Sequence, residues 1–142
     1  MFTGEYRHSV DDKGRLAVPA KFRAPLAVGA FLSRWIDGCL AIHTQSGWAD
    51  LVTKVAGLPI TDAGSRLFGR QVFAGAIEVE LDRQGRLLIP AYLREETGLV
   101  AEAVVIGSRD HLEIWSPARW TEYRRAMDDP EAFARAIQGL GI

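Results

Sequence analysis

Two five-residue segments of this 142-residue chain carry one charged pattern, Asp-x-x-Gly-Arg. They are Asp11-Asp12-Lys13-Gly14-Arg15 and Asp82-Arg83-Gln84-Gly85-Arg86. Glycine takes positive φ without steric cost, so Gly14 and Gly85 permit tight reversals. Asp11 and Asp82 are suited to accept hydrogen bonds from turn N–H groups. That leaves Arg15 and Arg86 near the tip of a two-stranded ribbon, with Lys13, Arg83 and Gln84 beside them. A two-stranded ribbon fits the major groove of B-DNA, and arginine's planar fork pairs with guanine O6 and N7 or with phosphate. Gln84 has the groups to read adenine or to touch backbone. The same spacing also allows a local Asp–Arg ion pair, worth about 0–1 kcal/mol on an exposed turn. Spacing alone leaves both readings open.

Other chemistries find little support. His8, His43 and His111 have no metal-ligand spacing, and Cys39 has no CxxC partner. No GxGxxG or phosphate-loop pattern occurs, and no nucleophile–base arrangement is hinted at. The expectation is a protein that is not an enzyme, with no catalytic residue, metal, cofactor or small-molecule substrate. Lone acids such as Glu78 and Glu80 read as solvated strand faces.

The elements that must hold these turns follow from an internal repeat. Residues 11–23 (DDKGRLAVPAKFR) match 82–94 (DRQGRLLIPAYLR) at an offset of 71. Asp11, Gly14, Arg15, Leu16, Pro19, Ala20 and Arg23 are identical to their counterparts Asp82, Gly85, Arg86, Leu87, Pro90, Ala91 and Arg94. The match runs on through Leu40-x-Ile42 with Leu112-x-Ile114, Thr44 with Ser116, and Trp48 with Trp120. A unit of this size buries too little core alone, so the two copies are expected to pack as an intramolecular pseudo-dimer.

Alternation at 4–10 and 75–81 predicts half-buried strands, each followed across its turn by a hairpin partner at 16–18 or 87–89. Pro19 and Pro90 suit the first position of a short helix, and Gly98 suits a helix stop. Further strands are expected at 28–34, 39–43, 103–107 and 111–115. Thr44 and Ser116 are good N-caps for a closing helix in each copy. Residues 45–71 look helical, broken at Gly57-Leu58-Pro59, and a last helix follows Pro130. Trp48 and Trp120 are expected to pack helix on sheet. Trp120, Tyr123 and Met127 form one stripe, and Arg124 and Arg125 are expected to be solvated.

Composition is that of a soluble globular protein, 48% apolar and 25% charged. No apolar run approaches the ~20 residues of a membrane span. The start Met1-Phe2-Thr3-Gly4-Glu5-Tyr6 is not that of a signal peptide. One cysteine closes no internal disulfide, so the cytoplasm is the expected compartment. Net charge is −1, but residues 1–71 carry nine Lys/Arg against six Asp/Glu, and 72–142 carry eight against twelve. A polyanion must therefore meet a local basic feature.

These segments resemble one family. MFTGEYRHSVDDKGRLAVPAKFR (1–23), ELDRQGRLLIPAYLREETGL (80–99), DGCLAIH (37–43) and LEIWSPARW (112–120) are similar to MraZ, a bacterial regulator family built from two SpoVT/AbrB-like swapped-hairpin modules. The resemblance implies a mainly β fold with short peripheral helices (α+β), its tandem modules packed as a pseudo-symmetric β-barrel. Modules would cover 5–48 and 76–120, with a helical linker at 49–75 and a helical tail at 121–142. It also implies a sequence-specific transcription regulator that binds direct repeats in the promoter of the division and cell-wall gene cluster and of its own operon. Ring-shaped homo-oligomers and nucleoid association are implied with it. By position, the double-stranded DNA contacts would be Asp11, Asp12, Lys13, Gly14, Arg15, Asp82, Arg83, Gln84, Gly85 and Arg86. The competing class is a protein-interaction module, such as the antitoxin half of a toxin–antitoxin pair or a ring scaffold. A long disordered toxin-binding tail would favour it, and this chain shows none after its last matched tryptophan.

Overall fold

The computed structural model describes residues 1–142. In chain order the first repeat contributes β1 (Glu5–Ser9), β2 (Arg15–Ala17), α1 (Ala20–Leu26), β3 (Ala30–Arg34), a single 3-10 turn (Ile36–Gly38), β4 (Leu40–Thr44) and α2 (Gln45–Ala56). After α3 (Ala63–Ala74) the second contributes β5 (Ile77–Val79), β6 (Arg86–Leu88), α4 (Ala91–Thr97), β7 (Glu102–Ser108), β8 (His111–Trp115) and α5 (Pro117–Asp128), followed by α6 (Pro130–Ala136).

The repeats interlock. Six antiparallel strands run in the order β1-β7-β8-β4-β3-β5, so β1 pairs with the second repeat and β5 with the first. The order reads the same from either end once each strand is exchanged for its repeat partner. A pseudo-twofold axis therefore passes between β4 and β8, where Ala41 faces Glu113.

Period-two alternation decides which side chains face inward. Leu32, Leu40, Ile42, Ala103, Val105, Leu112 and Ile114 point to one side, into a core completed by Leu16, Val18, Phe22, Leu26, Leu87, Ile89 and Leu93. The opposite side of the sheet is also covered. Val104 and Trp115 pack there with Cys39 and with Trp120 of α5, while Phe31 stacks on Trp48 of α2. The tryptophan pair serves packing, as its helical position implied. Thr44 and Ser116 cap α2 and α5, accepting the N–H of Gly47 at 3.0 Å and of Arg119 at 3.2 Å. Gly98 ends α4 with φ +72°. Arg124 is held by Glu5 and Asp128 rather than left to solvent alone.

The mainly β reading with peripheral helices holds, with three corrections. The sheet is open, β1 and β5 forming its two edges, and is not a closed barrel. A separate β2–β6 ribbon roofs it. Second, β2 is not the hairpin partner of β1. The two meet at a single bridge, Val10 to Leu16, while β2 makes its ladder with β6 of the other repeat. Leu16 and Leu87 are fully buried under the ribbon; each short strand has crossed over the core and must pair its backbone groups there. Third, Pro19 and Pro90 cap α1 and α4 from extended backbone, at ψ 134° and 149°, rather than opening the helix as its first residue.

Candidate functional site

Each charged turn is built by its aspartate. Asp11 Oδ1 accepts the N–H groups of Lys13 (3.0 Å) and Arg15 (2.9 Å), and Oδ2 accepts Arg15 Nε at 2.7 Å. Asp82 repeats this with Gln84 N–H (2.9 Å), Arg86 N–H (2.9 Å) and Arg86 Nε (2.8 Å). Backbone bonds close both loops, Gly14 to Asp11 and Gly85 to Asp82, with the glycines at φ +86° and +73°. The N–H of Arg15 and the N–H of Arg86 hold the Asp11 and Asp82 carboxyls below the usual range; desolvation opposes them, and the guanidinium groups and the N–H groups of Lys13 and Gln84 add to the lowering.

The local ion pair left open by the spacing is therefore present in both turns. It engages Nε only. The terminal Nη atoms of Arg15 make no hydrogen bond, and those of Arg86 have one carboxylate nearby, Asp11 Oδ2, at 3.9 Å from Nη1. Both side chains keep about a third of their surface exposed, 32% and 29%. Nε pairing fixes the plane of each guanidinium and leaves its outer edge free to donate to a planar acceptor.

The ribbon places both arginines on one outward face. Arg15 stands opposite Leu88 and Arg86 opposite Ala17, with Leu16 and Leu87 pointing inward between them. Two strand residues separate the arginines along the ribbon, roughly 7 Å. Asp12, Lys13, Arg83 and Gln84 stand exposed at the turn tips with no side-chain hydrogen bond.

Two further arginines belong to the site. Arg23 Nε donates to Val18 O and Arg94 Nε to Ile89 O, both at 2.9 Å. Their guanidinium groups lie across the turn of the opposite repeat, Arg94 over Gly14 and Arg23 over Gly85, so close that neither glycine has room for a Cβ. Ile89 N–H donates to Gly14 O at 2.9 Å and Val18 N–H to Gly85 O at 3.0 Å, completing a reciprocal lock. The sequence did carry a signal for these residues. Arg23 and Arg94 are, with the turn Asp and Arg, the only charged positions identical between the repeats in 11–23 and 82–94. Around the ribbon six cations (Lys13, Arg15, Arg23, Arg83, Arg86, Arg94) meet three carboxylates (Asp11, Asp12, Asp82). This is the local basic feature that a net charge of −1 requires for a polyanion partner.

A second cluster lies on the far side of the sheet. His43 and His111 are cross-strand partners with rings stacked at 5.1 Å, and Trp35 leans on both. They floor a cavity of about 480 Å³ between α2 and the β7–β8 turn. Burial pushes His43 down to about 4, aided by the charge of His111. Burial also opposes a proton on His111, but hydrogen bonds to Glu113 (3.0 Å) and Asp110 (2.8 Å) outweigh it and raise its value. No three His, Cys, Asp or Glu side chains stand together as metal ligands do.

Comparison with known proteins bears on the whole chain. The family model described as "MraZ protein, putative antitoxin-like" matches twice, at residues 1–71 and 72–139. A protein of Moorella thermoacetica named "Transcriptional regulator MraZ" is 49% identical over 143 residues, covering 100% of both chains. Proteins of the same name from Roseiflexus castenholzii and Thermomicrobium roseum are each 48% identical, over 99% and 84% of both chains respectively.

Proposed function

From the chain's membership of the MraZ family, which the two matches and the full-length relatives establish, we propose that it controls transcription by laying the β2–β6 ribbon and its two turns against double-stranded promoter DNA. The chain is a transcriptional regulator and not an enzyme. The finer reading assigns Arg15 and Arg86 to guanine edges or phosphates. Lys13 and Arg83 supply phosphate charge, and Gln84 a hydrogen-bonding tip. Asp11 and Asp82 orient the arginines, while Gly14 and Gly85 permit the tight reversals and the close seating of Arg94 and Arg23 over them. Arg23 and Arg94 brace the turns and add positive charge behind them. Asp12 rims the first turn.

One observation carries this reading: two guanidinium groups, fixed through Nε with their outer edges free, share the outward face of one short ribbon. At roughly 7 Å separation they span about two base-pair steps of a duplex that rises 3.4 Å per step. A single ribbon offers few contacts, so a ring-shaped homo-oligomer presenting several ribbons to spaced direct repeats raises the effective concentration of each. The targets in this reading are the division and cell-wall cluster promoter and the chain's own operon, and the protein acts in the cytoplasm on the nucleoid. No helix is long and apolar enough to cross a membrane.

The test is a salt titration of binding to the DNA upstream of the chain's own gene, with a repeat-scrambled duplex as control. Arg15→Ala and Arg86→Ala are expected to weaken binding to the intact repeats at least tenfold at moderate salt, with the oligomer still assembled by light scattering. If an arginine makes a phosphate contact, its loss also reduces the log–log salt slope by about one. Unchanged affinity in both variants refutes the proposal.

A further inference from the structure

The ribbon carries an apolar residue that the fold does not use. Along β6 the inward Leu87 is fully buried, whereas Leu88 is 56% exposed. Leu88 belongs to neither hydrophobic cluster. It shares the outward face with Arg86 and stands in register with Arg15. Side chains directly opposed across an antiparallel pair have Cβ atoms about 5 Å apart. The pseudo-twofold axis is broken at this point, because the residue facing Arg86 is Ala17. A single exposed aliphatic side chain is common on folded proteins; Leu88 is set apart by its place on the ribbon's outward face, beside Arg86 along β6 and opposite Arg15 on β2.

Resting on the DNA-reading role proposed above, we infer that Leu88 is a specificity-determining residue that meets the C5-methyl of a thymine adjacent to the base taken by Arg15. The thymine methyl is the apolar group that base edges present in the major groove, and apolar side chains contact it there. Arg15 and Leu88 together then form a two-part reader. The guanidinium takes the acceptors of a guanine, and the leucine takes the methyl of the neighbouring thymine, which cytosine lacks. The opposite pair, Arg86 with Ala17, offers a smaller apolar group and demands less of its neighbouring base. The two ends of one ribbon thereby read unequal sequences, which gives a pseudo-symmetric protein a direction on its target.

The experiment uses the full chain and the duplex immediately upstream of its own coding sequence, prepared once with thymine and once with deoxyuridine throughout. Wild type is expected to bind the thymine duplex about fourfold tighter, the equivalent of one buried methyl group. Leu88→Ala is expected to bind both duplexes alike, at the affinity wild type shows for deoxyuridine. A wild type indifferent to the methyl, or a Leu88→Ala protein that keeps the preference, overturns the inference. So does equal weakening on both duplexes with the preference intact, which would put Leu88 in a contact between copies. Arg15→Ala and Arg86→Ala run alongside. If they bind as wild type, the ribbon is not the DNA surface and the proposed function falls too. If they weaken binding while Leu88→Ala keeps its preference, only the leucine's role is lost.

Discussion

Replacing Gly14 by alanine tests the reciprocal lock beneath the ribbon. At φ +86° the backbone is left-handed, which costs an L-residue roughly 1–2 kcal/mol. The added Cβ would stand 2.6 Å from Arg94 Nε, 2.7 Å from its Cζ and 2.8 Å from Ile89 O. The guanidinium cannot swing aside freely, because its Nε is bonded to that same carbonyl at 2.9 Å. Relief therefore comes from separating the turn from β6, which breaks the hydrogen bond from Ile89 N–H to Gly14 O and forfeits about 1 kcal/mol more. Together the substitution is expected to destabilise the chain by about 2–3 kcal/mol. Urea denaturation followed by tryptophan fluorescence reads this as a lower midpoint at unchanged m. Gly139→Ala is the control. Its φ is also positive, at +81°, but nothing lies within 4 Å of the added Cβ and it follows the last helix, so the global unfolding free energy is expected to hold within ~0.5 kcal/mol. A Gly14→Ala midpoint equally close to wild type would refute the claim that the turn needs both the left-handed backbone and the close approach of Arg94.

Thr44→Ala and Ser116→Ala each remove a side-chain acceptor at a helix start and are expected to cost about 1 kcal/mol in the same denaturation assay, with the fold retained. His43 titrates near 4 when folded and near 6.5 unfolded. The unfolded chain binds the extra proton in between, so the His43 contribution to stability is full above about pH 6.5 and is lost as the pH falls toward 4. His43→Phe is expected to flatten that slope in a stability–pH series. His111 acts with the opposite sign: its raised value gives stability that is full below about pH 6.5 and disappears as the pH rises through the folded value, so His111→Gln should remove the alkaline loss. The double variant Asp11→Asn/Asp82→Asn keeps each Oδ1 acceptor but loses the charge. Because both carboxyls are depressed, their stabilisation is present above the ordinary carboxylate range and lost as the pH falls through their folded values. A shallower acid-unfolding limb in the double variant is the expected result.

Much of this was readable along the chain. The offset of 71 exposed two related units, the caps at Thr44 and Ser116 marked where helices start, and the strands expected at 39–43 and 111–115 lie within a residue of the observed Leu40–Thr44 and His111–Trp115. Asp11 with Arg15 and Asp82 with Arg86 were legible as turns because the aspartate and arginine that build each one are four residues apart, so local geometry is enough to join them. The histidine stack was not legible. His43 and His111 lie 68 residues apart and meet only because β4 and β8 are neighbours in register.

The same distinction divides the ribbon. Residue types by themselves placed short strands at 16–18 and 87–89, within one residue of the observed Arg15–Ala17 and Arg86–Leu88. They did not determine the neighbour. Backbone N–H and C=O groups are the same in every residue, so β2 can satisfy them as well with β1 as with β6. Burial of Leu16 and Leu87 beneath a common roof decided between the two. That choice, made only in three dimensions, put Arg15 beside Leu88, laid Arg94 over Gly14 and brought both guanidinium groups onto one face.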